Sequence, residues 1–597
     1  MPGYRQRLAE EQPEEDEAEL PNVVQVLLLQ RSQGEVSATA IQRIAAALVL
    51  DGFRIEPVME LAALGAFGAY PGNIFRDLKS KHGKAVQVAE PYKLRVPVLD
   101  PRSAPRQSLE DAGMLLPHDL FCSIGREYPD QFDSIFGIAD LPSFWGQIRS
   151  DDFHFGADLQ PDQIDSHHTI PMWLHGDGVA FGERDSLMVL SFGSLTSSLA
   201  PSSACLFCAA FAKKVTATSA KNEGDDTWRN IWQPLAWSLE CLFEGKHPER
   251  SHDGKPWQPG TRRANLAGQD LLPTGPWKGI LWSLVGDYEY MANVLKLPHW
   301  KSNAMCGFCD CDKTKPAKSP WNFAKPGWVT KQPNDFQNSP VWRTPHPVFQ
   351  ISAVHDLSVQ FDVLHLLDLG TSQTLAASVV KEIIYHDMGD DVETNLGRFW
   401  ESVWNEYGRL GSSSRISNLT LGMVVTDTKS PHKDYPRLKL KAAETRHFIP
   451  VLASICMSFQ SCKQHRVRSE VLQALTSFYE LLEVCDYVPT AEQHREMTKV
   501  WWSFLKGYQW LSDHAAKKGM KLYDPVPKFH YSAHLPEQAK FLNPRKTWTY
   551  RNEDYVGLVA SIASSCAFGT RAPALSLKTA EKLRFFMHFS WAFKHEE

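Results

Sequence analysis

Three apolar runs follow one another in close succession: "TIPMWLHGD" (169–177), "SLMVLSFGSL" (186–195) and "ACLFCAAFA" (204–212). Each is short, apolar and bounded or broken by Gly, Ser or Pro, which is the signature of a strand. The stretch that follows, "TWRNIWQPLAWSLECLFEG" (227–245), instead places its apolar residues at helical spacing and ends on Gly245, a helix stop. After a loop rich in Pro and Gly, "WKGILWSLVGDYEYMANVLKL" (277–297) reads as a further strand, with a helix as the alternative, running into a helix, with Asp287 near the junction. Three strands, a helix and a fourth strand commit the chain to an α/β fold.

The flanks are different. Residues 1–35 carry the acidic, proline-bearing run "LAEEQPEEDEAELP" and are expected to be a disordered tail. Region 36–165 is expected to be helical and irregular. A helix over 37–50 starts with Ser37 as its cap and stops at Gly52, and further helices fit 57–68 and 72–83. These three serve as a helical support or as a small DNA-binding unit. From about 355 to 520 the pattern is mostly helical, as in "FIPVLASICMSF" and "SEVLQALTSFYELLEVCDYV", and a late aromatic helix runs through "LRFFMHFSWAF". With 597 residues the chain is long enough for several domains, and its net charge of −6 means that any nucleic-acid surface is local. No apolar run spans a bilayer, and the N-terminus lacks the apolar core of a secretory signal. The eleven cysteines are an odd number and scattered, which suits a reducing compartment. The expectation is an intracellular protein with no membrane partner.

The chemistry-bearing residues are acids at element ends. Asp177 ends the first strand in "HGDG", Asp287 follows the fourth, and Glu553 begins a late helix in "WTYRNEDYVG". Three carboxylates brought together from separate elements can hold two divalent metals, which stabilise the attacking and leaving oxygens of an in-line phosphoryl displacement. Hard oxygen ligands suit Mg²⁺ or Mn²⁺. Each acid also has a plainer reading. Asp177-Gly178 is a turn pair, Asp287 is a helix N-cap, and Glu553 is a solvated acid at a helix start. Glu444 is the alternative third acid. Strands and acids in this order form the ribonuclease H-like pattern: a mixed sheet with flanking helices. Its core is expected over 166–300, completed by 545–597, and interrupted by a large, mostly helical insertion over 301–544.

That insertion begins with Cys306 and Cys309, a Cys-x-x-Cys pair able to supply two zinc thiolates in a knuckle. His299, Cys311, His355 and His365 are candidates for the remaining ligands, and free thiols in a loop are the alternative. Cys205 and Cys208 lie in an apolar strand and read as core. Asp362 sits one turn before His365, so the two share a helix face. The basic stretches 432–441 and 463–468 read as solvated faces. The Walker, nucleophile-elbow, kinase and dinucleotide fingerprints are absent from the sequence.

Several segments, in order, resemble the CACTA (En/Spm) and Plavaka-like transposases. "GDYEYMANVLKLPHWKSNAMCGFCDC" is similar to the family's Gly-Asp segment, with Asp287 and the Cys306/Cys309 pair. "FDVLHLLDLG" resembles its Asp-x-x-His stretch (Asp362, His365). "LKLKAAETRHFIPVLASI" resembles its Lys-x-x-acid stretch (Lys441, Glu444). "FHYSAHLPEQ" looks like its His-x-x-x-His-Leu segment (His530, His534), and "WTYRNEDYVG" looks like the segment bearing its last acid, Glu553. The resemblance implies a transposase acting on double-stranded DNA at transposon ends by two-metal hydrolysis and strand transfer. Asp177, Asp287 and Glu553 would carry the metals, with Asp362, His530 and His534 supporting them from behind. It also implies a nuclear, homo-oligomeric protein. Glu553-Asp554 is followed by "YVGLVASIASS" without a basic residue, and the chain is acidic overall. Both features favour the alternative, a non-catalytic transposon-derived module that binds DNA or protein.

Overall fold

All four predicted strands join one sheet in the computed structural model, which describes residues 21–83, 86–99, 107–148, 164–181, 185–218, 225–328, 346–567 and 570–592. Strands β1 (Tyr92–Leu99) and β2 (Gln107–Met114) form a separate antiparallel ribbon. The main sheet contains β3 (Thr169–Phe181), β4 (Asp185–Ser194), β5 (Leu206–Ala212), β6 (Lys278–Gly286) and β7 (Val359–Phe361), in the order β5-β4-β3-β6-β7. β3 pairs antiparallel with β4, and β4 with β5; β6 runs parallel to both β3 and β7. Every residue of β5 is buried, so its unbroken apolar run reflects a strand covered on both faces.

Side-chain alternation along β3 separates the two faces. Met172 points toward the helix Thr227–Glu244: a Cβ on Gly279 of β6 would meet both Met172 and Leu242 of that helix. The sequence marks this helix cleanly. Asp226 caps it by accepting from the Arg229 backbone N–H at 3.0 Å, and Gly245 ends it with φ +71°. Trp173, His175 and Asp177 point to the other face, where the helix Tyr550–Ala567 packs against β3.

Two expectations are corrected here. The fifth strand comes from inside the region read as a helical insertion, because "VQF" is three residues long and carries no alternation to detect. The "HGDG" segment is no turn: Gly176, Asp177 and Gly178 pair with Leu190, Val189 and Met188 in mid-strand. Glycine is needed at 176 for another reason. A Cβ there would lie 2.1 Å from the Tyr290 ring, and one on Gly286, its partner across the sheet, would lie 2.5 Å from the same ring. The paired glycines let the helix Tyr288–Asn293 fold back over the strand ends. Gly176→Ala is therefore expected to destabilise the fold by about 1–3 kcal/mol through overpacking, read as a shift in the urea midpoint at unchanged m-value.

The N-terminal region is helical from residue 22. Helix Asn22–Gln33 packs against Leu575–Ala592, so the tail expected over 1–35 is wrong for these residues, whose apolar Val24, Leu27 and Leu28 are buried; residues 1–20 lie outside the described residues. The second helix is Ala38–Leu50, with Ser37 Oγ accepting from Ala40 N–H at 3.0 Å. The helix read over 57–68 is two, Glu56–Ala62 and Leu64–Phe67, with Gly65 and Ala66 at positive φ. The third is Pro71–His82.

Between β7 and residue 520 lies the helical block, including Ala442–Cys456, Lys463–Val484 and Ala491–Lys517. Arg468, from a stretch read as a solvated basic face, is fully buried there. It holds Glu382 at 2.7 Å and Asp387 at 2.6 Å. Arg468→Met would leave Glu382 with only Tyr523 and Gln464, and Asp387 with His465, in place of a buried guanidinium, with an expected cost of about 3–5 kcal/mol in denaturant unfolding. Among the described residues, no helix is long and apolar enough to cross a membrane.

Candidate metal centres

Sheet register places the acids. Gly176 of β3 is level with Gly286 of β6, and Gly286 is level with Phe361 of β7. Asp177, Asp287 and Asp362 each follow this row by one residue: Asp287 and Asp362 lie just past the ends of β6 and β7, and Asp177 lies where β3 outruns its parallel neighbour and continues paired to β4 alone, so three carboxylates gather at one edge of the parallel pairing. Asp362 then ties in the fourth acid. Its carboxylate accepts from Thr549 N–H (3.2 Å) and Thr549 Oγ (2.7 Å), immediately before the helix whose first turn carries Glu553.

The centre of the group is Asp177, His365 and Glu553, each offering a ligand atom within 4.8 Å of the others. His365 Nδ1 lies 2.5 Å from Asp362, which orients the ring, and Nε2 lies 3.5 Å from Glu553 Oε1. Asp287 lies beside this trio and performs the N-cap role as well: its Oδ1 accepts from Tyr290 N–H at 2.6 Å. A cleft of about 630 Å³ opens onto Asp287, Asp362 and His365, with Lys528 and Tyr531 across it.

The electrostatics are those of a site wanting a cation. Burial, followed by the charge of Glu553, pushes the Asp177 carboxyl up; burial also raises Asp287. Burial opposes the His365 imidazolium, but the hydrogen bond and charge of Asp362, with Asp177 and Glu553, outweigh it and raise this group. Burial opposes ionisation of Asp362 too, yet the His365 and Thr549 hydrogen bonds hold its carboxyl low. Glu553 Oε1 is buried and makes no hydrogen bond, its salt-bridge neighbour being His365 Nε2 at 3.5 Å. Crowded acids fit a divalent metal held by oxygen, with His365 a further ligand once the ion has displaced its Nε2 proton.

A second cluster gathers Cys306, Cys309, His530 and His534, all buried, with ligand atoms within 4.8 Å of one another. Cys306 Sγ is 3.3 Å from His534 Nε2, and Cys309 Sγ is 3.3 Å from His530 Nε2. Ligands on a tetrahedral zinc stand roughly 3.5 Å apart, from its usual bond lengths. His530 Nδ1 lies 3.1 Å from the Pro320 carbonyl, which fixes the ring with Nε2 toward the thiols. Burial lowers His534 to about 3, so its imidazole is neutral, as a ligand must be. Two sulfurs and two nitrogens, closed off from solvent, fit a structural zinc.

The zinc-ligand set read from the sequence is thereby corrected. His299 lies outside the cluster, stacked on Trp300 at 3.7 Å with its Nδ1 engaged by Lys301 N–H. His365 belongs to the carboxylates. His355 caps a short turn by accepting from Leu357 N–H. Cys311 adjoins the thiol pair, and its sulfur hydrogen-bonds with Cys306 and Cys309. His530 and His534, expected behind the acids, complete the four-residue cluster with Cys306 and Cys309 instead. Their i, i+4 spacing was the signal, since it puts two side chains on one side of a helical turn. Glu444, the alternative third acid, accepts from the Lys441 backbone N–H at 2.9 Å as a helix cap and is absent from the centre. Cys205 and Cys208 are buried in the core, as read.

Fold and sites together define a mixed α/β protein with one carboxylate-rich and one thiol–imidazole candidate metal centre. Compared with known proteins, the chain matches no family model and no curated protein.

Proposed function

We propose that the protein is a metal-dependent DNA phosphodiester-cleaving enzyme of the transposase type, built on a ribonuclease H-like core. The observation that carries this reading is the register row: three acids one residue past the last parallel-paired row of three neighbouring strands, with Glu553 brought to them by a late helix. The order β5-β4-β3-β6-β7, antiparallel on one side of β3 and parallel on the other, supports the same core. Asp177, Glu553 and His365, with Asp287 beside them, would hold Mg²⁺ or Mn²⁺. When bound, the metals would activate water or a 3′-hydroxyl and neutralise charge developing on the phosphoryl oxygens. Asp362 keeps the His365 ring in place and fastens Glu553's helix to the sheet. Cys306, Cys309, His530 and His534 would hold zinc as a clamp between the loop after β6 and the end of the helical block. The substrate on this reading is double-stranded DNA, and the working form a nuclear homo-oligomer.

The test is nicking of supercoiled plasmid by the full chain with Mg²⁺ or Mn²⁺, against chelator. Metal-dependent nicking supports the reading. DNA binding without nicking in either metal would replace it with the second reading, a non-catalytic transposon-derived module. That alternative draws on the diversion of Asp287 to helix capping.

A further inference from the structure

A separate cleft of about 680 Å³ lies on the sheet face that carries Asp177, lined by Trp173 of β3, Val285 of β6 and residues 550–552 ahead of Glu553. Four cations converge on it from three places in the chain. Arg446 comes from the helix Ala442–Cys456, Arg545 and Lys546 from the turn Pro544–Thr547, and Arg551 from the first turn of Glu553's helix. Two carboxylates also line the cleft, Asp140 and Glu483. Glu483 is already shared, 3.4 Å from Arg446 and 3.2 Å from Arg545, which leaves a surplus of positive charge.

These cations are held in place. The Trp548 ring has Arg446 4.5 Å and Arg545 4.6 Å from its centroid, and Lys546 sits 4.1 Å from the Tyr487 centroid. Burial, with repulsion from Arg545 and Arg551, lowers the Lys546 ammonium despite the neighbouring Asp486 and Asp140. Such crowding costs free energy unless an anion relieves it. A second observation points to the same ligand: Asn552, only 9% exposed, lines the cleft with its Nδ2 unpartnered. A fixed group of guanidinium and ammonium donors beside an idle amide donor suits phosphate oxygens. The volume suits a nucleotide-sized ligand, and it is far too small for a duplex.

We propose that this cleft is a phosphate-ester site for an unpaired nucleotide, receiving the strand that continues from the phosphodiester presented to Asp177 and Glu553. The strand assignment rests on the proposed function; the phosphate-ester assignment does not.

The test uses the full chain in chelator, so that the carboxylate centre contributes no metal-bridged binding. Anisotropy of a labelled oligothymidylate is followed across a salt series, with adenosine 5′-monophosphate as competitor. Lys546→Gln and Arg551→Gln, each checked for an unchanged melting transition, are expected to weaken binding about tenfold and to flatten the salt slope by about 0.7 per cation removed. Arg398→Gln, at an exposed arginine paired with Asp390 and outside the cleft lining, is the control and should change neither. Displacement by the mononucleotide at equal affinity would identify a free nucleotide as the source of the phosphate; its failure to compete would identify the strand. Oligonucleotide and mononucleotide binding unchanged in both cleft variants would overturn the site. Asp177→Asn separates the two proposals: loss of nicking with intact metal-free binding supports both, whereas cleft-dependent binding by a wild-type protein that never nicks sinks the enzymatic reading alone.

Discussion

Asp177→Asn is expected to abolish metal-dependent nicking, by about 10³-fold or more, while making the metal-free protein more stable. The two effects share a cause. Asp177 is buried beside Glu553, and its carboxyl is pushed above its ordinary value. An acid raised in the folded state binds more protons folded than unfolded, so stability falls as pH climbs from the unfolded value toward the raised one. An amide has the same shape and no charge to bury. The substitution should therefore raise stability at neutral pH by about 1–2 kcal/mol and remove that pH dependence. Adding Mg²⁺ or Mn²⁺ should reverse the ranking. At a hundredfold excess over Kd, a ligand of the folded state contributes about 2.7 kcal/mol, and only the wild type should gain it. Thermal melts with and without metal, across pH, read all of this. A variant that melts lower than wild type in chelator would mean that Asp177 is a structural acid and that the centre is not built for a cation.

The second large effect is expected at the thiol–imidazole cluster. The purified chain should carry one zinc, and Cys306→Ser and His530→Ala should each lose it. Both variants should melt well below wild type, by several kcal/mol equivalent. The reason is topological: Cys306 and His534 are 228 residues apart in the chain. Their shared ion would join the loop following β6 to the segment that leads into Glu553's helix. Without it, buried sulfurs and imidazoles keep their desolvation cost and lose their common partner. Zinc is measured by mass spectrometry on the native protein. A wild type free of zinc, or variants that melt with it, would reduce the cluster to packed thiols. Because the clamp lies on the path to Glu553, nicking should fall along with zinc content even though none of its four ligands touches the carboxylate centre.

Much of the local structure was legible from residue order. Ser37 marked the start of its helix, Gly245 marked the end of another, and the runs at 169, 186, 204 and 278 were strands. These features depend on caps, periodicity and φ preferences that operate within a few residues. Asp287, read as a metal ligand with an N-cap as the plainer alternative, does cap a helix and sits beside the acids, because the end of β6 and the start of a helix coincide there. The Asp177-Gly178 pair looked like turn chemistry but lies in mid-strand, and the glycines at 176 and 286 proved to be clearance for Tyr290.

What the sequence by itself determined, then, was the set of elements and the inventory of reactive side chains. Tertiary structure decided their partnerships. It placed His365 with the carboxylates and His530 and His534 with the thiols, drew β7 out of a helical region, diverted Glu444 to a cap, and gathered Arg446, Arg545, Lys546 and Arg551 into one cleft. The Glu444 cap and the i, i+4 histidine pair are local patterns, but which partners the histidines, His365 and the cations meet is not: those contacts arise where strand register and helix packing bring together residues far apart in the chain, and they depend on the burial of the whole core.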